Sequence, residues 1–536
     1  MRTTRFLLRM ALLLSGGSLL IHAPAVMAAE RPNIIFIMTD DHAAHALSCY
    51  GSKVNQTPNM DRLAEGGMKF ANAFVTNSIC SPSRATLLTG QYSHLNGVPV
   101  FNRFDGSRQN VAKLLRASGY HTGMIGKWHL GSEPTGFDQW ITLPGQGVYN
   151  NPRFITPHGT LNVEGYVSDV ITDLGIRLIE SRPADKPFFL MLHHKAPHRS
   201  WEPDGKNKAL FKDRVIPEPE TLHDDYATRP AALPENRQTV AQDLTRTDLK
   251  LPPPDTLKTP AERQKWLGEK PDRVDVPQAD GSVKTLTGEA LAKWKYQRYM
   301  QDYLACVQGV DDNIGRLLDY LDTSGLAKNT IVFYTSDNGF FLGDHGMYDK
   351  RFMYEASLRI PLLVRAPGLA TAGAVSDRMV LNVDFAPTFL DLAGLPVPAG
   401  MQGQSLKPLL AGSPADTWRS SFYYRYYHDP GDHNTRAHLG LRTATEKLIH
   451  YWKKDAWEYY DLATDPNELR NRIGDPAAQP RIAALKSELA RQQKELHDDN
   501  QFADSIPGEG VGGIPPNTPA LGRKTIAEAI TGSAVK

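Results

Sequence analysis

Short apolar runs recur along the chain and alternate with stretches of helical periodicity. The first run, 33–38 within RPNIIFIMTDDH, is apolar at successive positions rather than at every second one. Similar runs occur in YHTGMIGKWHL, KPFFLMLHH and NTIVFYTSDNG, and each follows a helical stretch, near 110–118, 167–179 and 289–321. Buried strands that alternate with helices are typical of an α/β fold with a large, mostly parallel or mixed sheet between helices.

The pattern changes in two places. Residues 201–291 are rich in Pro, Asp, Lys and Arg, which predicts a surface insertion with short helices. This insertion either pads the surface or borders a cleft. From about 396, aromatic and β-branched runs such as SSFYYRYYH and WEYYDL predict a small antiparallel sheet, followed by a helix near 480–497.

The expected organisation is therefore a large domain over 30–395, a subdomain with a small antiparallel sheet over 396–500, and a tail over 501–536. The tail is rich in Gly and Pro and lacks periodicity, so we expect it to be irregular and to lie on the surface.

The first 29 residues have the features of a secretory signal peptide. Arg2, Arg5 and Arg9 precede the apolar segment MALLLSGGSLLI, and AVMAAE offers cleavage after Ala28 or Ala29. The alternative is an uncleaved anchor helix. The remaining apolar runs are too short to span a membrane. We therefore expect a periplasmic or secreted protein with no stable membrane insertion after cleavage.

Charge content limits the possible partners, and cysteine content limits the possible disulfides. The 536 residues contain 60 basic and 59 acidic side chains, a balance that argues against nucleic acid as a partner. Three cysteines allow one disulfide at most. Cys49 and Cys306 could form it, but both are better interpreted as small buried hydrophobic residues.

Polar residues follow four of the apolar runs. If the strands are parallel, their carboxyl ends meet at one edge of the sheet, where ligands of such folds bind. These residues are Asp40 and Asp41, Lys127 and His129, His198, and Asp337 and Asn338.

Four of these residues offer hard oxygen ligands: Asp40, Asp41, Asp337 and Asn338. Such a set suits Ca²⁺ or Mg²⁺ better than zinc. Each pair alone could instead cap a helix or form a turn. Because both pairs follow an apolar run, the metal interpretation is favoured.

Cys80, in NSICSPSRATLLTG, allows three interpretations. Pro82 and Ser83 favour a turn that leads into a helix, which places the cysteine near backbone N–H donors, with Arg84 close by. The cysteine could be a buried structural thiol, a catalytic thiolate or the precursor of another group.

These segments resemble the signatures of the type I sulfatases. CSPSR followed by ATLLTGQY is similar to the motif Cys-x-Pro-x-Arg, and RPNIIFIMTDDH, GKWHLG and SDNGFFLGDHGMYDK resemble three further sulfatase segments in the same order. The resemblance runs from about Arg31 into the predicted small sheet. It implies an alkaline-phosphatase-like fold and hydrolysis of sulfate esters.

The resemblance also implies a modified nucleophile. Cys80 would be converted by a formylglycine-generating maturation enzyme to Cα-formylglycine, whose hydrate carries two hydroxyls. One hydroxyl attacks sulfur and the other allows the sulfate to be expelled. A serine has no second hydroxyl and thus no such release route.

The remaining roles are implied residue by residue. Asp40, Asp41, Asp337 and Asn338 would bind one Ca²⁺ together with an oxygen of modified Cys80. The catalytic side chains would be Arg84 on the diol, Lys127 and Lys350 on sulfate oxygens, His129 as base and His198 as acid.

Some of these residues have simpler alternatives. His198 could cap a turn, and Arg351 is adjacent to Lys350 and could take its place. His193 and His194 are interpreted as structural or supporting residues, and His345 as either supporting or unrelated.

Segments such as KAPHRSWEP and YYHDPGDHNTRAHLGLRT are similar to exported bacterial sulfatases that remove 6-O-sulfate from N-acetylglucosamine in glycans of the heparan or mucin type. Candidate sugar contacts are His428, Asp432, His433, His438 and Arg442. Four tyrosines could form a stacking surface or could simply alternate between core and surface in a strand, which is favoured: Tyr423, Tyr424, Tyr426 and Tyr427.

Other functions remain possible. The chain could be an arylsulfatase, a sulfatase for another sugar position, or a hydrolase of phosphonate or phosphate esters. It could also be an inactive glycan-binding protein with an unmodified Cys80. The complete set of catalytic residues argues against an inactive protein.

Overall fold

A computed structural model describes residues 31–413, 417–515 and 518–531. The expected signal peptide, 1–29, lies outside the described residues. The strands are β1 (Asn33–Thr39), β2 (Met68–Phe70), β3 (Ala73–Phe74), β4 (His121–Lys127), β5 (Gln139–Leu143), β6 (Arg153–Thr156), β7 (Gly159–Asn162), β8 (Phe188–His193), β9 (Arg273–Pro277), β10 (Val283–Thr287), β11 (Thr330–Ser336), β12 (Phe341–Leu342), β13 (Tyr348–Asp349), β14 (Arg359–Ile360), β15 (Leu362–Arg365), β16 (Ala374–Ser376), β17 (Val380–Leu381), β18 (Ser421–Tyr426), β19 (His438–Thr443), β20 (Glu446–Tyr451), β21 (Ala456–Asp461) and β22 (Ala520–Arg523).

The α-helices range from a single turn to 36 residues. They are α1 (Pro58–Glu65), α2 (Cys80–Thr89), α3 (Ser93–Asn96), α4 (Val111–Ala117), α5 (Val167–Ser181), α6 (Val240–Asp243), α7 (Pro260–Gly268), α8 (Gly288–Thr323), α9 (Glu355–Leu358), α10 (Phe385–Leu392), α11 (Lys407–Leu410), α12 (Gln479–Glu495) and α13 (Ile526–Thr531). Short 3₁₀ turns cover Ala44–Ala46, Ser48–Tyr50, Leu326–Asn329, Asp344–Gly346, Asn382–Asp384, Asp432–Asn434 and Pro476–Ala478.

An eleven-stranded mixed sheet forms the centre of the fold. Its order is β16-β2-β15-β11-β1-β8-β4-β5-β6-β7-β22, and the strands from β11 to β5 are parallel. β1 is buried along its whole length, as the continuous apolar run predicts. The expected α/β fold is confirmed.

Successive residues of β1 face two different helical layers, because side chains of a strand alternate between the faces of its sheet. Ile35 and Ile37 belong to the core that includes α5 and α8. Ile34, Phe36 and Met38 belong to the core that includes α2, α4 and α10. The sheet therefore lies between two layers of helices, and α2 starts at its carboxyl edge.

The expected small antiparallel sheet is also confirmed, with the order β18-β19-β20-β21. Helix α12 packs against it through Ile482, Leu485 and Leu489. We call this four-stranded unit the small sheet.

The insertion and the tail both contain short ordered elements. Residues 201–291 contain α6, α7 and the hairpin β9–β10. The tail, expected to be irregular, instead contributes two ordered elements. Strand β22 pairs in parallel with β7, and α13 packs against α5 with Ala529 and Ile530 buried. The low periodicity of the segment reflects the short length of these elements.

All three cysteines are free. Cys306 is buried in the core beside α5, and Cys49 is half-buried, so the structure contains no bridge between them. Within the described ranges, none of the helices is both long and apolar enough to cross a membrane.

Candidate active site

The carboxyl ends of four neighbouring parallel strands bring the predicted polar residues together. β11, β1, β8 and β4 are adjacent in that order, and Thr39 pairs with Ser336 at the last residue of β1 and β11. Asp40 and Asp337 therefore leave the sheet side by side. The backbone N–H of Asp41 donates to Asp337 Oδ1 over 3.2 Å, which fixes the two strand ends relative to each other.

Three buried carboxylates meet at this edge. Asp40, Asp41 and Asp337 each offer an oxygen, and these oxygens lie within 4.8 Å of one another. Asn338 donates from Nδ2 to Asp41 Oδ1 over 2.6 Å. Its buried Oδ1 has no hydrogen-bond partner among the described residues, so it remains available as an acceptor. The donor set consists of hard oxygens, as a Ca²⁺ or Mg²⁺ site requires.

Three buried cations balance these carboxylates. Lys127 pairs with Asp40, and Lys350 pairs with Asp41. Arg84 donates to Asp337 Oδ2 from Nη2 over 2.8 Å and from Nε over 3.0 Å.

The electrostatic environment gives the carboxylates different pKa values. Burial would raise the pKa of Asp40, but Lys127, His198 and Arg84 hold it well below the usual range. Burial and the charge of Asp40 raise the pKa of Asp337 to about 7. A cation bound among these groups would favour the ionised form of each of them.

Cys80 is the first residue of α2 and points into this cluster. Its Sγ lies 3.4 Å from Asp40 Oδ1 and 3.9 Å from Lys127 Nζ. The side chain is fully buried, and burial raises the pKa of its thiol above the usual value. Burial thus disfavours a thiolate at this position, which argues against the catalytic-thiolate interpretation.

Both predicted catalytic histidines, His129 and His198, lie around Cys80. His129 accepts at its carbonyl from Ser81 Oγ over 2.7 Å. His198 Nδ1 lies 2.6 Å from the carbonyl of Arg199, while Nε2 lies 3.7 Å from Asp41 Oδ2. Burial lowers the pKa of both rings well below the ordinary value.

The other histidines considered from the sequence lie outside this arrangement. His193 Nδ1 lies 3.2 Å from the Lys127 carbonyl, which supports the end of β4. His194 is buried, and neither ring nitrogen bonds to another described residue. His345 Nδ1 lies 2.8 Å from Asp224, a residue of the insertion.

A cavity of about 350 Å³ opens onto the cluster, and we call it the strand-end cavity. It is lined by predicted residues and by residues that sequence reasoning missed. The lining residues are Asp41, Cys80, Phe101, Gln146, His198, Arg199, Asp349, Lys350, Arg351, Asp432 and His433.

The cavity also distinguishes Lys350 from Arg351. Lys350 contacts Asp41, whereas Arg351 Nη1 lies 2.6 Å from Asp349 and its Nη2 donates to Asp432 over 2.9 Å. The lysine belongs to the carboxylate cluster and the arginine to the outer lining. The adjacent residues YDKR were the only sequence signal for Asp349 and Arg351.

The insertion supports one side of this cavity. Asp248 pairs with Arg199 over 2.5 Å, and Asp243 pairs with His433. Residues 201–291 were expected either to pad the surface or to border a cleft, and these acidic residues favour the second role. Gln146, whose Oε1 accepts from Lys127 over 2.5 Å, comes from a Gly-rich loop that carried no sequence signal for this position.

The expected sugar contacts fall into two groups. Asp432 and His433 line the strand-end cavity, and His428 lies next to it, with its ring 6.0 Å from that of Phe101. His438 is fully buried and stacks on Phe352, so packing keeps it away from the cavity.

Arg442 also lies away from the strand-end cavity, because it pairs with Glu355 over 3.1 Å. The four tyrosines are buried as well, so they neither form an exposed stacking surface nor alternate between core and surface: Tyr423, Tyr424, Tyr426 and Tyr427.

Comparison with known proteins agrees with this geometry. A sequence model of the sulfatases matches residues 32–395, and one described as "N-sulphoglucosamine sulphohydrolase, C-terminal" matches 343–495. The chain is 45% identical over 514 residues to an N-acetylglucosamine-6-O-sulfatase of Bacteroides thetaiotaomicron, covering 91% of this chain and 89% of the relative. It is 27% identical to the N-acetylglucosamine-6-sulfatase of Capra hircus, covering 83% and 81%.

A solved structure gives the same result. It is described as a complex with its substrate D-glucosamine-2-N,6-O-disulfate. It superposes with a TM-score of 0.82 at 44% identity, covering 89% of this chain and 100% of the other. The expected alkaline-phosphatase-like fold is thereby confirmed.

Proposed function

Because the chain belongs to the sulfatase family, we propose that it removes the 6-O-sulfate from glucosamine or N-acetylglucosamine residues of sulfated glycans. The observation that carries the proposal is the placement of Cys80 among three buried cations and three buried carboxylates at the edge of the strand-end cavity. The choice of sugar rests on the relative with 45% identity and on the structure solved with a glucosamine disulfate.

One Ca²⁺ is proposed to bind to Asp40, Asp41, Asp337 and Asn338. The buried, unpartnered Oδ1 of Asn338 and the clustered carboxylate oxygens support this assignment. When bound, the ion neutralises charge on the sulfate oxygens.

Cys80 is proposed to be converted to formylglycine, which supplies an oxygen nucleophile and a second hydroxyl for product release. Because the thiol is fully buried in the folded chain, a maturation enzyme would reach it only before folding is complete.

The protein's own side chains then divide the remaining work. Lys127 pairs with Asp40 and Lys350 with Asp41, and both lysines are proposed to offset charge on sulfate oxygens. Arg84 is proposed to orient the modified residue.

The two histidines are proposed to move the protons. His129 acts as base toward the modified residue. His198 donates a proton from Nε2 to the sugar oxygen as its bond to sulfur breaks, because its Nδ1 lies against the Arg199 carbonyl. The negative charge of a bound sulfate raises the pKa of His198, which opposes the effect of burial on that group.

The outer lining of the cavity suits a sugar. Charged and hydrogen-bonding groups line it: Asp349, Arg351, Asp432, His433 and Gln146. Sugar hydroxyls can donate to the carboxylates and accept from the guanidinium. A glycan that reaches this enzyme from outside the cell also fits the proposal that residues 1–29 direct export to the periplasm or beyond.

The test is a substrate panel with the purified, matured protein. We expect release of sulfate from glucosamine 6-sulfate and N-acetylglucosamine 6-sulfate, and much slower release from 3-O-sulfated glucosamine and from galactosamine 6-sulfate. Faster turnover of a phosphonate monoester or an aryl sulfate than of each 6-sulfated sugar would overturn the proposal.

A further inference from the structure

One helical turn of the insertion reaches the strand-end cavity. Helix α6 ends at Asp243, whose side chain is buried. The backbone just before this turn is attached at two points. The N–H of Arg237 donates to the carbonyl of His433 over 2.7 Å, and Thr239 forms an antiparallel β-bridge with Met347, the residue before β13. Asp243 is therefore held in place relative to both His433 and β13.

His433 lies between two carboxylates. Its Nδ1 pairs with Asp243, and its Nε2 lies 2.9 Å from Asp349 Oδ2. Burial would raise the pKa of Asp243, but the hydrogen bond and charge of His433 lower it to about 2. Burial would also raise the pKa of Asp349, but Arg351 and Lys350 hold it well below the usual range. An ionised carboxylate only accepts hydrogen bonds, so both ring nitrogens of His433 donate, as in the charged form of the ring.

Asp243 has further partners around the cavity. Its Oδ2 accepts from the hydroxyl of Tyr348 over 2.6 Å, and that hydroxyl accepts from Arg199 Nη1 over 2.7 Å. Its Oδ1 pairs with Lys270, which also belongs to the insertion. Through His433 and Tyr348, one buried carboxylate of the insertion is therefore connected to residues from three separate segments of the cavity lining.

This arrangement leaves one oxygen of Asp349 for a ligand. Its Oδ2 lies 2.9 Å from His433 Nε2 and 2.6 Å from Arg351 Nη1. Its Oδ1 makes a longer contact, 3.5 Å from Lys350 Nζ. Because Asp349 lines the cavity, Oδ1 can accept from a hydroxyl of a bound sugar. If His433 moved away, Oδ2 would lose one of its donors and the carboxylate would be less firmly oriented.

The insertion contains a second pair of this kind, away from the cavity. Asp224 Oδ2 lies 2.8 Å from His345 Nδ1, and the side chain of Asp224 is buried. His345 and His433 both have positive φ, 54° and 59°, a conformation that residues other than glycine rarely adopt. The two aspartates thus hold histidines of similar backbone conformation, but of the two pairs it is Asp243 and His433 that reach the strand-end cavity.

We propose that Asp243 is a positioning residue for substrate binding: it holds His433 charged and directed at Asp349, so that Asp349 meets a sugar hydroxyl in a fixed orientation. This inference rests on the proposed function and adds a residue of the insertion to it. Because Asp243 would act on the bound sugar and not on the reacting atoms, its loss should change KM more than kcat.

The experiment measures kcat and KM for glucosamine 6-sulfate in a double-mutant cycle. Asp243→Asn keeps the shape of the side chain and removes its charge. We expect KM to rise about tenfold, the effect of roughly one charge-assisted hydrogen bond, and kcat to stay within about threefold. His433→Gln should raise KM by at least as much. Because Asp243 acts through His433, KM of the double variant should lie within about twofold of that of His433→Gln alone, whereas independent effects would multiply.

Asp224→Asn, in the second pair, is the matched control. It also removes a buried charge, so it should cost stability in urea unfolding, but kcat and KM should stay within about twofold. If Asp243→Asn does not fold, Tyr348→Phe removes one of the two donors to Asp243 Oδ2 with little change in shape, and should raise KM about threefold. Multiplying effects in the cycle, an unchanged KM in the folded variants, or an equal rise in KM in Asp224→Asn would overturn the inference.

Binding measurements separate this inference from the proposed function. Glucosamine 6-sulfate should bind to Cys80→Ala protein, as measured by calorimetry, and adding Asp243→Asn should weaken this binding about tenfold. Such binding without release of sulfate by the matured protein would overturn the proposed function and support the inference. Turnover with the same KM in wild-type and Asp243→Asn protein would do the reverse, and the absence of any binding would overturn both.

Discussion

The large sheet and the small sheet both bury charged groups, but they place them differently. In the large sheet, Asp40 and Asp337 follow the last residues of β1 and β11. In the small sheet, Arg442, Lys447 and Glu458 lie within β19, β20 and β21. Both sets are nearly or fully inaccessible to solvent.

The partners differ as well. Lys447 Nζ lies 3.0 Å from Glu355 and 2.5 Å from Glu468, so charges of the small sheet are satisfied by the elements packed on it. At the edge of the large sheet, the ion pairs surround Cys80, and the acceptor Asn338 Oδ1 remains without a partner among the described residues.

Buried charges therefore have two different roles, in fold specificity and in ligand binding. A charge within a strand can only pair with what packs on the sheet, so it contributes to the specificity of the fold. A charge at the carboxyl end of a parallel strand faces the place where ligands bind. Mutations in the two regions should therefore change different quantities, activity in one and stability in the other.

The largest expected effect is at Cys80. Cys80→Ala should lower kcat by roughly 10⁴-fold or more, because the nucleophile is removed. The free energy of unfolding should fall by only about 1–2 kcal/mol, the loss expected from a small buried cavity. Sulfate release and urea unfolding measure the two quantities.

Cys306→Ala is the matched control, because that cysteine is equally buried but lies in the core beside α5. It should cost similar stability and retain activity. Mass spectrometry of the peptide from Ser78 to Arg84 should show formylglycine in active wild-type protein. An intact thiol in fully active protein would contradict the proposed nucleophile.

The second-largest effect is expected from a change in the carboxylate cluster. Asp337→Asn removes a charge that pairs with Arg84 and a proposed calcium ligand. We expect the calcium content to fall well below one per chain and the rate to fall on the order of 100-fold or more. Elemental analysis and sulfate release measure these quantities.

Asp311→Asn changes another buried carboxylate, one that accepts from the N–H groups of Asn59 and Met60 at the start of α1. This variant should lose stability and keep both calcium and rate. A full complement of calcium in Asp337→Asn would remove that residue from the ligand set.

The edge of the large sheet could be predicted from sequence because its signals are local. A continuous apolar run followed by Asp40 and Asp41 specifies a buried strand and what lies beyond its end. Once the strands are known to be parallel and adjacent, their ends must meet. The outer lining could not be predicted, because Gln146, Arg199 and Arg351 are placed by loops whose paths no periodicity specifies.

In the small sheet, by contrast, the environment of the polar residues could not be predicted from the sequence. His438 and Arg442 are polar residues in an aromatic segment, which sequence reasoning interpreted as sugar contacts. Their partners, Phe352 and Glu355, are distant in sequence and come from the segment after β13. Burial by such long-range packing cannot be read from the segment itself, and the same holds for the ordered part of the tail.

A smaller effect on function, but a large one on stability, is expected at Lys447. Lys447→Met leaves Glu355 and Glu468 without their shared buried cation. We expect a loss of about 3–5 kcal/mol in the free energy of unfolding, with kcat/KM of the folded protein unchanged. The exposed pair of Lys453 with Asp504 is the control, and Lys453→Met should leave the denaturation midpoint unchanged. A loss of activity in folded Lys447→Met protein would break the distinction between the regions.

The smallest effect concerns Glu458, whose carboxyl is fully buried in β21 beside Tyr354 and Tyr460. Burial raises its pKa to about 7 from an ordinary value near 4.5. The folded protein therefore holds a proton on this group between these two pH values that the unfolded chain releases, so its contribution to the free energy of unfolding falls as the pH rises through this range.

Glu458→Gln should remove that slope and leave the amide in a similar place. The difference in stability between wild type and variant should thus change by about 3 kcal/mol between pH 4.5 and pH 7.5, in favour of the variant at the higher pH. Urea unfolding at a series of pH values measures it, and the pH profile of kcat/KM should be the same for both proteins. A constant stability difference would mean that Glu458 is ionised in the folded protein. A shifted pH profile of kcat/KM would mean that the charge of Glu458 influences the active site.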